Sequence, residues 1–291
     1  MTTLYDILQI FVNSLLLAGV YATTAIGLTV IMGVLRIINF AYGELILIGC
    51  YIAYILSSFG VDPFLSLPLS ALITLACGIP IYLPLAKRTK ELLGINQILY
   101  FLGISYCMQN ILALLMSATT RGISPPYAFY SISFGPIYIS YLRLIMFALS
   151  LGILLCLHIV FTRTFFGRGM RAVIQDREAA ALLGVNTERI MLYGFLFGCA
   201  LAGVGGTFLS MLYTFSPYGG GRFMFKTIGI IIIAGSGRAS FSGTIIGSII
   251  FALVENFTML VIPPAYIRAV DSLLLLALLL FFPYGLGGRG A

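Results

Sequence analysis

The chain has 291 residues, 60% of them hydrophobic and 9% charged, with a formal net charge of +7. A soluble domain carries about 25% charged residues, so this composition excludes one and describes a chain threaded through a bilayer. The excess of bases is not a nucleic-acid signature, because Lys and Arg sit in connectors at the ends of apolar runs, where the positive-inside rule puts them.

A helix needs about 20 apolar residues to cross a bilayer. Uncharged stretches of that order occupy residues 7–35, 63–86, 92–120, 144–162, 190–216 and 272–288. Residues 45–61 fit a span that begins near Asn39, and 228–237 with 243–254 form a shorter pair. Leu and Ile dominate, and strand-length alternation is absent. The expected fold is therefore all-α, a polytopic transmembrane helix bundle of about 8–10 helical segments, forming one transmembrane domain over residues 1–291. The first run reads as a span rather than a cleaved signal peptide, being long and preceded by an acid and no base. With the clusters at Lys87, Arg88 and Lys90, at Arg163 to Arg189 and at Arg289 taken as cytoplasmic, the N-terminus falls outside. Arg36 and Arg238 then sit at inner turns, while Arg121, Arg143, Arg222, Lys226 and Arg268 fall in outer connectors.

Two places interrupt the helical pattern. Residues 36–44 put Arg36, Asn39 and Glu44 between two apolar runs, with glycines at Gly33 and Gly43. Residues 234–243 form a Gly- and Ser-rich turn that includes Gly235, Gly237 and Gly243. Short or Gly-interrupted spans point to discontinuous or re-entrant helices around a central site. Between the breaks, the outer connector 117–140 carries Pro125, Pro126 and Pro136 among Tyr127, Phe129, Tyr130, Phe134 and Tyr138, which reads as a semi-rigid lid at the headgroup level. Gly194, Gly198, Ala202 and Gly206 recur every four residues, and Gly243 and Gly247 repeat that spacing, as small faces do where membrane helices touch.

The longest polar island is the connector at about 163–189, with five arginines and three acids. Asp176 is placed to cap a short helix beginning at Arg177, with Glu178 in its first turn. Ala179, Ala180, Ala181, Leu182 and Leu183 favour helix, and Gly184 can end it as a left-handed residue. Asn186 or Thr187 can then cap the next span. The product is a small amphipathic helix between two spans, suited either to docking a soluble partner or to resting on headgroups.

Charges inside the apolar runs need a reason, since a mid-membrane charge costs roughly 2.5–3.5 kcal/mol. Asn39 and Glu44 are expected to line a translocation path, and Glu255 to brace helices. His158 stands alone near a span end, and the cysteines Cys50, Cys77, Cys107, Cys156 and Cys199 are widely spaced, so no metal site is expected. No G-x-x-x-x-G-K-[ST] and no G-x-S-x-G segment occurs, so neither nucleotide hydrolysis nor serine chemistry is expected of this chain.

Three blocks together resemble the transmembrane permease subunit of bacterial ABC importers for branched-chain amino acids. The first runs from Gly19-Val20-Tyr21-Ala22 through Gly27-Leu28-Thr29 to Asn39-Phe40-Ala41-Tyr42-Gly43-Glu44-Leu45. The second runs from Gly167-Arg168 through Met170-Arg171-Ala172-Val173 and Gln175-Asp176 to Leu183-Gly184. The third joins Gly235-Ser236-Gly237, Gly243-Thr244, Gly247, Val254-Glu255 and Pro283-Tyr284-Gly285-Leu286. Tyr42 stands where the family commonly has His, and Ala234 and Ser242 depart from its usual Gly and Pro. The resemblance implies that Gly167, Arg168, Arg171, Gln175, Asp176, Glu178, Ala179, Ala180, Leu183 and Gly184 couple the chain to an ATPase. It also implies a pathway at Tyr21, Asn39, Tyr42, Gly43 and Glu44, and a re-entrant turn at Gly235, Gly237 and Gly243. The implied partners are a second homologous permease, two cytoplasmic ATP-binding subunits that hold ATP and Mg, and a periplasmic or lipoprotein substrate-binding protein. The chain itself would carry no cofactor, would not be an enzyme, and would lie in the bacterial cytoplasmic (inner) membrane. The alternatives are an importer of urea or short amides on the same fold, or an ion-coupled secondary transporter using Glu44.

Overall fold

In a computed structural model, the described residues are 4–36, 38–87, 95–135, 137–235, 241–261 and 267–281. They form helices α1 (Leu4–Leu35), α2 (Tyr42–Ser58), α3 (Leu67–Lys87), α4 (Ile95–Met116), α5 (Tyr141–Arg163), α6 (Phe165–Gln175), α7 (Arg177–Leu182), α8 (Thr187–Leu212), α9 (Gly220–Ala234), α10 (Phe241–Val261) and α11 (Ile267–Phe281). Short 3-10 turns occupy Pro63–Ser66, Pro126–Phe129 and Pro217–Gly219, and strands β1 (Ser131–Phe134) and β2 (Ile137–Ser140) pair antiparallel. Six of the described helices are long and apolar enough to cross a bilayer, and α2 is a shorter apolar one. The all-α polytopic bundle is as expected.

Three details differ from the expectation. The connector 117–140 is not strand-free: Ser131 faces Ser140 and Phe134 faces Ile137 in a small hairpin. The polar island contains a helix, α6, ahead of the expected one. And α10 is not a short segment, because it continues through Glu255 to Val261 as a 21-residue helix.

By internal contacts the chain divides into two units, residues 1–25, 124–154 and 225–291, and residues 26–123 and 155–224, with boundaries inside α1, α5 and α9 and in the connector between α4 and α5. In the first unit, Gln9 clamps the hairpin: its Nε2 donates to the Tyr138 carbonyl at 2.7 Å and its Oε1 accepts the Tyr138 N–H at 2.8 Å. A Cβ on Gly19 would meet the Phe147 ring at 2.9 Å, and one on Gly247 would meet the Ile230 carbonyl at 2.6 Å, so both are close-packing positions.

The second unit is built around α8. A Cβ on Gly198 would meet the Gly27 carbonyl at 2.6 Å, and one on Gly194 would meet Val34 at 3.2 Å, so this half of the small-residue stripe seats α1. Gly206 sits against the Ile46 carbonyl of α2, and Gly203 against the Ser70 carbonyl of α3. Polar groups then bond across the contacts: Thr207 Oγ1 donates to Ser70 Oγ at 3.0 Å and Cys50 Sγ to the Gly206 carbonyl at 3.1 Å. Small faces let backbones approach where lipid supplies no hydrophobic drive.

Within each unit, connectors expected on the same side of the membrane are tied to one another. Arg36 reaches the end of α6, Gln9 holds the hairpin, and Arg121 pairs its backbone with Phe215 at 2.8 Å in both directions. Arg121 also donates to Tyr54 Oη at 2.9 Å from above its ring. The alternation of spans traced from the charges is consistent with each of these contacts.

Replacing Gly206 with Val drives a branched side chain into the α2 backbone, an overpacking cost of about 3 kcal/mol. Thermal unfolding of the detergent-purified variant should show a clear loss, whereas Gly152→Ala, which has open space around it, should leave the transition in place.

Candidate functional site

The break after α1 is made by Arg36, which takes φ 55°. Asn39 Oδ1 then accepts the Ala41 N–H at 3.0 Å, and the Asn39 carbonyl accepts that of Tyr42 at 3.1 Å, which turns the chain into α2. Glu44 lies in the first turn of α2, a favourable place for an anion. Asn39, Tyr42, Gly43 and Glu44 are all buried. A Cβ on Gly43 would fall on the Gly220 carbonyl, and a Cβ on Gly220 would fall among the Glu44 carboxylate atoms. The first turns of α2 and α9 therefore meet backbone to backbone, with the Glu44 carboxylate against the start of α9. Ser105 Oγ donates weakly to Glu44 Oε1 at 3.4 Å, while Glu44 Oε2 and Asn39 Nδ2 are buried without a hydrogen-bond partner.

The piece that delivers α9 to this point was not legible as a functional segment. Phe215 packs its ring on Tyr51 and Tyr54 of α2, with centroids 5.1 and 6.4 Å apart. Four residues on, Gly219 lies beside Leu47, and Gly220 reaches Gly43. Residues 213–219 thus run back along α2 over about 12 Å, taken at about 1.5 Å per helical residue. The chain therefore doubles back here. The re-entrant turn had been expected at Gly235, Gly237 and Gly243. Gly235, at φ 97°, closes α9 by donating to the Ile232 carbonyl at 3.1 Å; Gly237 lies outside the described residues; and Gly243 is in the first turn of α10. The available signal was the Pro217-Tyr218-Gly219-Gly220-Gly221 run, where proline and glycines permit a close backbone approach.

Tyr21 is held elsewhere, in the first unit. Its hydroxyl donates to Glu255 Oε2 at 2.5 Å, and Lys226 forms an ion pair with Glu255 Oε1. The ammonium also donates to Tyr21 Oη at 3.0 Å and lies 5.3 Å from its ring centroid. Tyr21, Lys226 and Glu255 are each no more than 3% exposed. Glu255 braces helices as expected, α1, α9 and α10 together. Lys226 corrects the charge tracing: it is not a connector base but the buried partner of Glu255, and the run 228–237 looked short because the helix includes that base.

The polar connector is a sequence of capped pieces. Thr164 Oγ1 accepts the Gly167 N–H at 3.1 Å and starts α6, whose buried side carries Met170 and Val173 and whose exposed side carries Arg168, Arg171 and Gln175. Asp176 Oδ1 accepts the N–H groups of Glu178 and Ala179 at 2.9 and 3.0 Å, starting α7. Gly184, at φ 82°, ends it in a Schellman pattern: Gly184 N–H donates to Ala181 and Val185 N–H to Ala180, both at 3.0 Å. Asn186 Oδ1 then caps α8 through the Arg189 N–H. Among the ten residues expected to couple, Gly167 and Ala180 are buried and support the segment, while Arg168, Arg171, Gln175, Asp176, Glu178, Ala179, Leu183 and Gly184 are exposed. Leu182 and Leu183 stand 89% and 84% exposed, an apolar pair on a charged rim. Among the described residues no group of His, Cys, Asp and Glu could hold a metal. His158 is exposed, and the cysteines are free thiols.

A multi-pass helix bundle with a capped polar connector between two spans and a buried carboxylate where two helices begin has the architecture of a membrane permease. The chain belongs to the family described as branched-chain amino acid transport system / permease component, whose profile matches residues 10–282. It is 31% identical to the high-affinity branched-chain amino acid transport system permease protein BraD of Pseudomonas aeruginosa, over 99% of this chain and 98% of that one. It is 29% identical to LivH of Escherichia coli K12, over 98% and 96%. A probable branched-chain amino acid transport permease protein LivH of Methanocaldococcus jannaschii is 25% identical over 96% and 92%. No solved structure matches significantly. The relatives are transport permease subunits rather than enzymes, and the family is one component of a larger transport system.

Lys226→Met leaves the buried Glu255 carboxylate without its countercharge, which should lower stability by about 3–5 kcal/mol. The double variant Lys226→Met/Glu255→Gln removes both charges while keeping an acceptor for Tyr21, and most of the loss should be recovered in thermal unfolding of the purified protein.

Proposed function

We propose that this chain is the membrane-spanning subunit of an ATP-driven importer that carries branched-chain, or similarly small apolar, amino acids across the cytoplasmic membrane by alternating access. The substrate class is supported by the names of the relatives, each a branched-chain amino acid permease. A second homologous permease completes the pore, a binding protein delivers substrate, and two cytoplasmic ATP-binding subunits hold ATP and Mg and engage the exposed face of the connector.

The observation that carries this reading is the contact of Arg36. Its guanidinium donates to the carbonyls of Ile174 and Gln175 at 3.3 and 3.4 Å. These are among the last carbonyls of α6, which have no partner within the helix and favour a cation. Arg36 is also the residue that breaks α1 from α2. One side chain therefore joins the connector that a motor would push to the turn that sets Asn39 and Glu44. An ion-coupled carrier has no use for such a link, and its docking rim of Leu182 and Leu183 would face nothing.

The test is uptake in proteoliposomes holding the complete transporter. Accumulation of leucine should need ATP and the ATP-binding subunits; accumulation on an ion gradient alone would sink the reading. Arg36→Ala should lower ATP-driven uptake by roughly threefold, the equivalent of a long, exposed hydrogen bond, while the ATP-binding subunits still co-purify with the permease.

A further inference from the structure

Among the described residues, two carboxylates are buried among the apolar helices, and they differ in one respect. Glu255 is engaged by Tyr21 and Lys226, whereas Glu44 Oε2 has no partner although the residue is only 2% exposed. Five positions earlier, on the same turn into α2, Asn39 is 0% exposed and its Nδ2 is also unpartnered. Its oxygen is fixed by the Ala41 N–H, so the amide nitrogen is the free end. An anion and a donor left unsatisfied in a water-poor interior are costly. Their presence calls for an explanation, and a ligand that completes them is one.

The complement of this pair is a group with a positive donor at one end and an acceptor at the other. An α-amino acid head has both: an ammonium with three donors and a carboxylate that only accepts. Gly220 keeps a side chain away from the Glu44 carboxylate, and Gly43 lets the first turns of α2 and α9 meet there. Among the described residues, the Glu44 side chain accepts one hydrogen bond, the 3.4 Å contact from Ser105, too long to satisfy a buried charge.

We propose that the Glu44 carboxylate receives the ammonium group, and the Asn39 amide nitrogen the carboxylate, of the amino acid in transit. This assigns head-group recognition in the permease itself, and it rests on the reading that the substrate is an amino acid. Side-chain selectivity then lies elsewhere, and aliphatic amino acids should share one head-group site.

The experiment measures KM for L-leucine uptake by proteoliposomes holding the complete transporter. Glu44→Gln should raise KM roughly tenfold or more, as loss of a charged hydrogen bond does, and Glu44→Asp should recover most of it. Asn39→Ala should raise KM by less. Gln has the shape of a protonated acid, so leucine uptake with an unmoved KM in Glu44→Gln overturns the proposal while leaving the transporter assignment standing. If the wild type carries urea or acetamide and no aliphatic amino acid, the parent reading falls and takes the proposal with it. Where Glu44→Gln fails to assemble, thermal unfolding of the wild-type complex without binding protein decides. A rise in Tm with saturating L-leucine and none with leucic acid, in which a hydroxyl replaces the ammonium, supports the site; equal rises, or none from either, overturn it.

Discussion

Two helices surrounded by lipid gain nothing from hiding apolar surface, so they associate where their backbones can come close enough for dispersion and short polar bonds to act. In this chain that place is α8. Gly194 and Gly198 admit α1, Gly203 admits α3 and Gly206 admits α2. Once Gly206 is seated on the Ile46 carbonyl, the height of α2 is set, and with it the height at which its first turn begins. Gly43 can then meet Gly220 only if the chain leaving α8 turns back along α2, as residues 213–219 do. The position of Glu44 is thus a consequence of where small residues fall on a neighbouring helix rather than of anything in its own segment.

This explains what could be read from the residues and what could not. Spans follow from hydropathy alone, and the caps of α7 follow from Asp176 and Gly184, because both are decided by neighbours in sequence. The ion pair of Lys226 with Glu255 joins residues 29 apart in sequence, and a base near the end of an apolar run looks like a connector base until its partner is placed. The doubling back of residues 213–219 is illegible for the same reason: its cue, Pro217-Tyr218 followed by three glycines, is local, but its meaning depends on α2. Two misses were legible. Ser131-Ile132-Ser133-Phe134-Gly135 and Ile137-Tyr138-Ile139-Ser140 alternate as strands do. Phe166, Met170 and Val173 recur at helical spacing after a capping Thr164, yet the arginines among them drew the eye to charge rather than period.

The connector combines order within itself with few apolar ties beyond. Each helix in it is started by a side-chain cap at Thr164, Asp176 or Asn186, and α7 is ended by a left-handed glycine. Caps act on hydrogen bonds of the backbone and need no burial, so α7 holds its form while Leu182 and Leu183 stay exposed. Such capping gives the connector internal order that does not depend on burial. Its firm attachment is at α6, where Met170 packs beside Gly194 of α8 and Arg36 holds the terminal carbonyls. The end of α6 and the α1–α2 turn are thereby tied together through one side chain.

The contrast between the two buried glutamates follows from the same geometry. Glu255 sits in mid-helix, where no backbone N–H is left to help it, and its charge is offset by a lysine and a tyrosine from other helices. Such a pair is stable only as a closed set, since removing one member strands the other in low dielectric. Glu44 is instead placed in a first helical turn, where the orphan N–H groups and the helix dipole soften the cost of its charge. That softening lets it remain buried with one oxygen unpaired, a state that would be prohibitive in the middle of α10. A helix start thus offers a buried carboxylate a support that the middle of a helix cannot.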